Sequence, residues 1–352
     1  MTSAEIPTPE SWAASAVNRR WSSASVREIR ALKGDASSRR FWRVAIDSGK
    51  GVDVPSTAIA IDLGPDDLPL YARKLDLIPG PLAEPPWLNL HRFLRKIGAA
   101  VPELYEADPE ARMLLVEDVG ELALFDAATR GDAGDLYRLA ADELLLLHVE
   151  GTRRLDAECL AARVAYDERL FRWELEQFAD TTTPSVRRNS IASELDDLAA
   201  RLGRLPRVFS HRDYHGHNLF VQMRVNHRNE PRLRLIDFQD ALMAPAAQDL
   251  AVLLTTRDAS RIITPTIERR VLDYYYAALI RREATPMAFD DFMASYRLCV
   301  IQHALKVVGR FTFLEREGKS GYTVFIPYAL AQARRMLALE DDFPNLRAAL
   351  AA

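Results

Sequence analysis

The chain has 352 residues, with 50 Asp and Glu against 46 Lys and Arg for a formal net charge of -4, and a hydrophobic content of 48%. That is too long for one compact core and about right for two lobes of an ordinary globular protein. The acidic balance excludes a general nucleic-acid binder, and no stretch approaches the roughly 18 apolar residues that a membrane span needs.

Taken in chain order, Met1 to Trp21 has no basic region followed by an apolar run, so no signal peptide is expected and the expected location is the cytoplasm. Residues from Val26 to about Asp118 read as short β segments separated by turns. Leu32 to Ser38 is a small polar turn, Arg40 to Ile46 a strand-like run, and Thr57 to Leu63 a second apolar β run. Trp87, Leu90, Phe93, Leu94 and Ile97 recur at helical spacing and predict a helix over 87–97. Met113 to Val116 is another buried strand, running into Glu117-Asp118-Val119-Gly120. From Gly134 the pattern changes to long helices with one apolar face: 136–150, 167–179, 191–202, 266–281 and 289–315. A β island between Arg207 and Ala241 interrupts them. Cys159 and Cys299 stand far apart without zinc spacing and read as buried thiols. A β-rich lobe over 1–118 and a helical lobe over 119–352 make a two-lobed α+β plan, with ligands expected in the cleft between them.

The β island carries the chemistry. His211-Arg212-Asp213, with Asn218 after four intervening residues, has the spacing of a kinase catalytic loop. An apolar strand, the basic stretch Arg224 to Arg234 and a second apolar strand then lead to Asp237-Phe238. Phosphoryl transfer needs a carboxylate to orient the attacking hydroxyl, the role expected of Asp213. It also needs a divalent metal on the phosphates of ATP, here Mg²⁺, held by hard oxygen donors from Asn218 and Asp237. A hairpin between those two would bring both to one side of the cleft. Three rival motifs fail. Gly318-Lys319-Ser320 resembles the end of a phosphate-binding loop, but Phe313 stands where its first glycine belongs. There is no Gly-x-Gly-x-x-Gly, and neither His215 nor His217 has a partner at metalloprotease spacing. Arg224 to Arg234 lacks the aromatic residues of a single-strand binder and reads as a solvated hairpin tip.

A protein kinase follows its metal-binding Asp with a long activation segment and Ala-Pro-Glu. Here Asp237-Phe238-Gln239-Asp240 runs through Ala244-Pro245-Ala246 to Asp249, which is expected to open a helix beginning Leu250 to Leu254. There is no room for a peptide platform, so the acceptor should be small.

At these residues the chain resembles the aminoglycoside phosphotransferase and choline kinase superfamily, through His211 to Asn218, Leu235 to Ala241 and Gln248-Asp249-Leu250. Within it the outer motifs are most similar to the anomeric N-acetylmuramate and N-acetylglucosamine kinases of bacterial cell-wall recycling. These motifs include Gly34 to Ser37, Arg39-Arg40-Phe41, Leu114 to Gly120, Glu174, Gln302 and Leu305 to Gly309. The resemblance implies a protein-kinase-like fold, ATP and Mg²⁺ as cofactors, and a small sugar as partner, with no nucleic acid, membrane or obligate protein. It places Ser37 and Ser38 in a loop over the nucleotide, hangs adenine on the backbone of Glu117 and Val119, and gives His211 and Asp249 supporting roles. Asp249 would brace the catalytic loop through backbone amides, although a plain helix N-cap also explains it. The third-strand Lys of kinase-like folds is missing from Ala58 to Leu63, a trait the resemblance assigns to the sugar kinases. Another cation must then meet the phosphates. Arg43 is the first candidate and Arg39 and Arg40 the next, each competing with a solvated strand-edge role. Glu174 and Arg310 are candidates for binding a sugar hydroxyl or carboxylate, against a surface ion pair for either. Rival readings are a kinase of aminoglycoside, choline or homoserine acceptors, and an inactive nucleotide-binding pseudokinase.

Overall fold

The computed structural model describes residues 8–33, 38–48, 53–65, 68–78, 82–182, 185–223, 231–284 and 287–351. After helix α1 (Pro9–Arg20) come strands β1 (Ser25–Leu32), β2 (Arg40–Asp47) and β3 (Thr57–Asp62), helices α2 (Leu70–Lys74) and α3 (Pro86–Ile97), then β4 (Leu104–Asp108) and β5 (Met113–Glu117). The strands form one antiparallel sheet in the order β1-β2-β3-β5-β4.

Period-two alternation sorts the small lobe's side chains between its two faces. Trp42, Val44, Ala58, Ala60, Met113 and Leu115 turn outward and pack with Trp12, Ala13, Ala16 and Val17 of α1 in a core of their own. Phe41, Arg43, Ile59, Ile61 and Val116 turn the other way, into the cleft. Ile61, Leu114 and Val116 join the principal core, which continues without a break through α3 into the large lobe.

The large lobe runs through α4 (Leu124–Ala128), α5 (Ala133–Leu145), α6 (Thr152–Arg154), α7 (Glu168–Thr182) and α8 (Ser185–Gly203). Strands β6 (Arg207–Ser210), β7 (Leu219–Met223), β8 (Pro231–Leu235) and β9 (Leu242–Pro245) follow, then α9 (Ala246–Thr255), α10 (Pro265–Arg281), α11 (Phe289–Arg316), α12 (Ile326–Leu337) and α13 (Pro344–Ala351). The expected hairpin between Asn218 and Asp237 is β7–β8, and β6 pairs with β9. No helix among the described residues is long and apolar enough to cross a membrane, and both cysteines are buried and free.

Two local expectations are corrected. The helix expected over 136–150 is α-helical only to Leu145 and then widens into a π turn, Leu146–Gly151. Such a turn inserts a residue and rotates the side chains after it, here His148. Asp249 is not an N-cap, because Pro245 ends the strand and α9 starts at Ala246, leaving Asp249 fully buried one turn inside.

Candidate active site

Two spaces meet at Asp213. One is a cleft of about 690 Å³ between the lobes, walled by Phe41, Ile59, Ile61 and Val116 above and Phe220, Ile236 and Phe238 below. The other, of about 290 Å³, lies within the large lobe between α7, α9 and α11 and is lined by Tyr71, Trp173, Glu174, His303, Lys306 and Arg310. Asp213, His215, Asp240, Arg257, Arg310 and Phe311 border both.

The catalytic loop is held by its backbone. The Asp249 carboxylate accepts from the amides of His211 and Arg212, at 2.9 Å each. His148, turned by the π segment, meets the same carboxylate at 3.1 Å and Tyr275 Oη at 2.6 Å. His211 Nε2 bonds to the carbonyl of Ile236 at 3.0 Å, tying the loop to the strand end before Asp237. Arg212 and Asp237 both adopt left-handed backbone, with φ of 73° and 65°. Non-glycine residues rarely tolerate this unless the surroundings impose it, and such strain gathers at active sites. Asp249 thus has the brace geometry and His211 a supporting one.

Asn218 Nδ2 donates to the carbonyl of Asp213 at 2.9 Å and lies 3.4 Å from Asp237 Oδ2. Asn218 and Asp237 thus stand side by side at the floor of the cleft. Burial pushes the Asp213 carboxyl up, but Arg212, Lys306, His215 and His211 together outweigh it and hold its pKa down at about 2. Asp213 is therefore an anion at any working pH. Nearby Asp240 is pushed up to about 6 by burial, eased by Arg212 and reinforced by Asp213 and Asp237.

Of the three arginines considered for the phosphates, Arg43 lines the cleft, but its guanidinium is taken up by Asp118 at 2.7 Å and by Glu121. Arg40 lies on the outer face, paired across the register with Asp62 at 2.6 Å. Arg39 reaches the large lobe, 2.7 Å from Asp237 Oδ1. All three arginines are thus ion-paired, and of them Arg39 is the one whose partner is Asp237. Glu117 ends β5 with its carboxylate held by Arg234 at 2.9 Å, and its neighbour Val119 is buried against the cleft. The Ser38 carbonyl lies 2.9 Å from where a Cβ on Gly64 would stand. Ser37 lies outside the described residues.

Glu174 is not part of a surface ion pair. It is buried, accepting from Gln302 Nε2 at 2.9 Å and from Tyr166 Oη, and pairs with Arg212 at 3.2 Å and Lys306 at 3.4 Å. Burial pushes its carboxyl up, and Lys306 and Arg212 bring it below the ordinary range. Arg310 is half-buried at the border of the two spaces.

The model of the phosphotransferase enzyme family matches residues 78–288. The chain belongs to this family. The phosphotransferase is 29% identical over 326 residues to an N-acetylmuramate/N-acetylglucosamine kinase of Caulobacter vibrioides, covering 84% of each chain. It is 28% identical to a kinase of the same description from Pseudomonas aeruginosa, over 76% of this chain and 77% of that one. Among solved structures it is similar to the choline kinase of Streptococcus pneumoniae, with a TM-score of 0.56 at 16% identity over 94% of this chain and 97% of that one. An ADP-bound aminoglycoside phosphotransferase gives 0.54 at 13% identity over the same shares. These likenesses establish the protein-kinase-like fold and bear out the resemblance read from the motifs.

Several residues lining the smaller space carried no role in the sequence. Tyr71 comes from the short helix α2 and lies under Arg212, whose guanidinium carbon is 3.9 Å from the ring centroid. Nothing in its local pattern marks it. Lys306 was findable: Gln302, Lys306 and Arg310 recur every fourth residue along α11 and so share one face of the helix.

Proposed function

We propose that this chain is an ATP- and Mg²⁺-dependent kinase that transfers the γ-phosphoryl group to the anomeric hydroxyl of N-acetylmuramate or N-acetylglucosamine. The supporting observation is the position of Asp213, where a nucleotide-sized cleft meets a pocket of about 290 Å³. That space suits one substituted sugar ring. Trp173, Tyr71 and Phe311 offer aromatic faces, and Gln177, Thr256 and His303 offer polar contacts. The pocket wall carries Arg212, Arg257, Lys306 and Arg310 against Glu174, Asp213 and Asp240. A cationic acceptor such as choline or an aminoglycoside would meet repulsion there. The intact set of Asp213, Asn218 and Asp237 argues against a pseudokinase.

Asp213 would receive the acceptor hydroxyl and hold it in line with the γ-phosphorus. A carboxylate with a pKa of about 2 is a weak base. It suits a loose transition state in which the proton leaves late, and an anomeric hydroxyl, more acidic than an ordinary alcohol. Asn218 and Asp237, which both line the cleft, would offer two hard oxygen donors. That fits Mg²⁺, which keeps waters and takes substrate phosphate oxygens into its shell. Bound there, the metal would neutralise charge on the β- and γ-phosphates. Arg39 is the cation we assign to the phosphates in place of the missing third-strand Lys. The backbone of Glu117 and Val119 would hold adenine, with the lobe boundary at 118/119, and the reaction would belong to cytoplasmic recycling of cell-wall sugars.

Product chemistry tests this reading. A 1-phosphate is acid-labile and has lost its reducing end, whereas a 6-phosphate is acid-stable and still reduces copper. The methyl glycoside of N-acetylglucosamine should be inert and the 6-deoxy sugar should turn over. Rapid turnover of the methyl glycoside overturns the anomeric assignment, and turnover of choline or kanamycin without any sugar overturns the sugar.

A further inference from the structure

We infer that Arg310 is the residue that recognises a carboxylate on the acceptor, so that the pocket is built to favour acidic over neutral amino sugars. The inference deepens the sugar-kinase reading and rests on it. Its starting point is the balance of charge inside the pocket. All three carboxylates are committed: Glu174 to Arg212 and Lys306, Asp240 to Arg212 at 3.7 Å, and Asp213 to the reacting hydroxyl. Arg310 is half-buried, and no carboxylate among the described residues pairs with it. Its recorded ring neighbour is Phe313, whose centroid lies 5.6 Å from the guanidinium carbon. Burial and the charge of Arg212 both act against its protonated form, with only Glu174 and Tyr322 in its favour.

A guanidinium that faces a pocket with no carboxylate partner is open to one from a ligand, and its planar fork matches a carboxylate through two parallel hydrogen bonds. The position suits this partner. Arg310 follows Lys306 by four residues on α11, about 6 Å along the helix, and Lys306 is among the charges that hold Asp213 ionised. A sugar with its anomeric hydroxyl at Asp213 fills the pocket that Arg310 lines, which puts an acidic ether arm on its ring in the same space as the guanidinium. The phosphate side has its own cation in Arg39, beside Asp237.

N-acetylmuramate and N-acetylglucosamine share ring, acetamido group and anomeric centre, and differ by a lactyl ether that carries one carboxylate. The experiment compares kcat/KM for the two sugars in the wild-type chain, Arg310→Gln and Arg310→Lys, with KM for ATP measured alongside. Loss of a charge-assisted pair should lower the acidic-to-neutral ratio of kcat/KM by about 10–100-fold in Arg310→Gln. Arg310→Lys should restore part of it. An unchanged ratio, with both sugars declining together, overturns the inference and leaves the sugar kinase standing. A rise in KM for ATP that accounts for the whole loss overturns it in favour of a phosphate contact. A wild-type chain that phosphorylates neither sugar overturns the underlying reading instead. Equilibrium titration of the two sugars without nucleotide gives a second readout. Tighter binding of the acidic sugar, lost in Arg310→Gln, supports the inference; equal binding in both chains counts against it.

Discussion

Asp213 and Asp237 stand in one site with opposite electrostatic assignments. Asp213 is stabilised as an anion by fixed protein cations, Arg212 and Lys306. Asp237 faces the cleft with Arg39 and the amide of Asn218 as neighbours, an arrangement that a metal-bound nucleotide can take over. The two should fail differently. Asp213→Asn should leave Mg·ATP binding near the wild-type value while kcat falls by roughly 10²–10⁴, the range for a lost general base. Asp237→Asn should weaken metal-dependent nucleotide binding itself, which calorimetry with Mg·ADP reads directly. Equal loss of nucleotide affinity in both would refute the division of labour. Because its pKa is about 2, Asp213 stays ionised from pH 4 upward and contributes no acid limb to the rate profile.

At the scale of elements, much of the site was legible because its key residues lie close together in sequence. His211, Asp213, Asn218 and Asp237 belong to one loop and one hairpin, and local spacing is what a sequence displays. The pocket proposed for the acceptor was less legible because three helices far apart in the chain build it. Gly309 shows how. A Cβ there would stand 2.7 Å from the backbone N and Cα of Phe178, so α11 crosses α7 at a distance only glycine permits. That approach carries Lys306 to Glu174. The β strands also show the limit: β1 was not distinguished because it is an edge strand, mostly solvated and without clean alternation. Gly309→Ala should force the helices apart, since the clash is with backbone that cannot rotate away. The expected outcome is a loss of about 1–3 kcal/mol in denaturant unfolding and a KM for acceptor that rises more than the KM for ATP. A variant of wild-type stability with unchanged acceptor KM would show that the crossing has slack.

At the scale of the whole molecule, one hydrophobic core runs from β3 and β5 through α3 into the large lobe, so the lobes are joined by packing on one side. On the open side they are joined by charge, where Arg39 reaches across to Asp237. The Asp237 oxygen proposed for a metal is the one that Arg39 meets. Arg39→Ala should therefore have opposite effects on two affinities: bare Mn²⁺ should bind more tightly, and Mg·ATP more weakly. Paramagnetic relaxation of water protons measures the first and calorimetry the second; a change of the same sign in both would rule out the exchange. On this reading Arg39 and the metal compete for one carboxylate, a form of coincidence detection in which a metal that arrives with a triphosphate would be favoured over one that arrives alone.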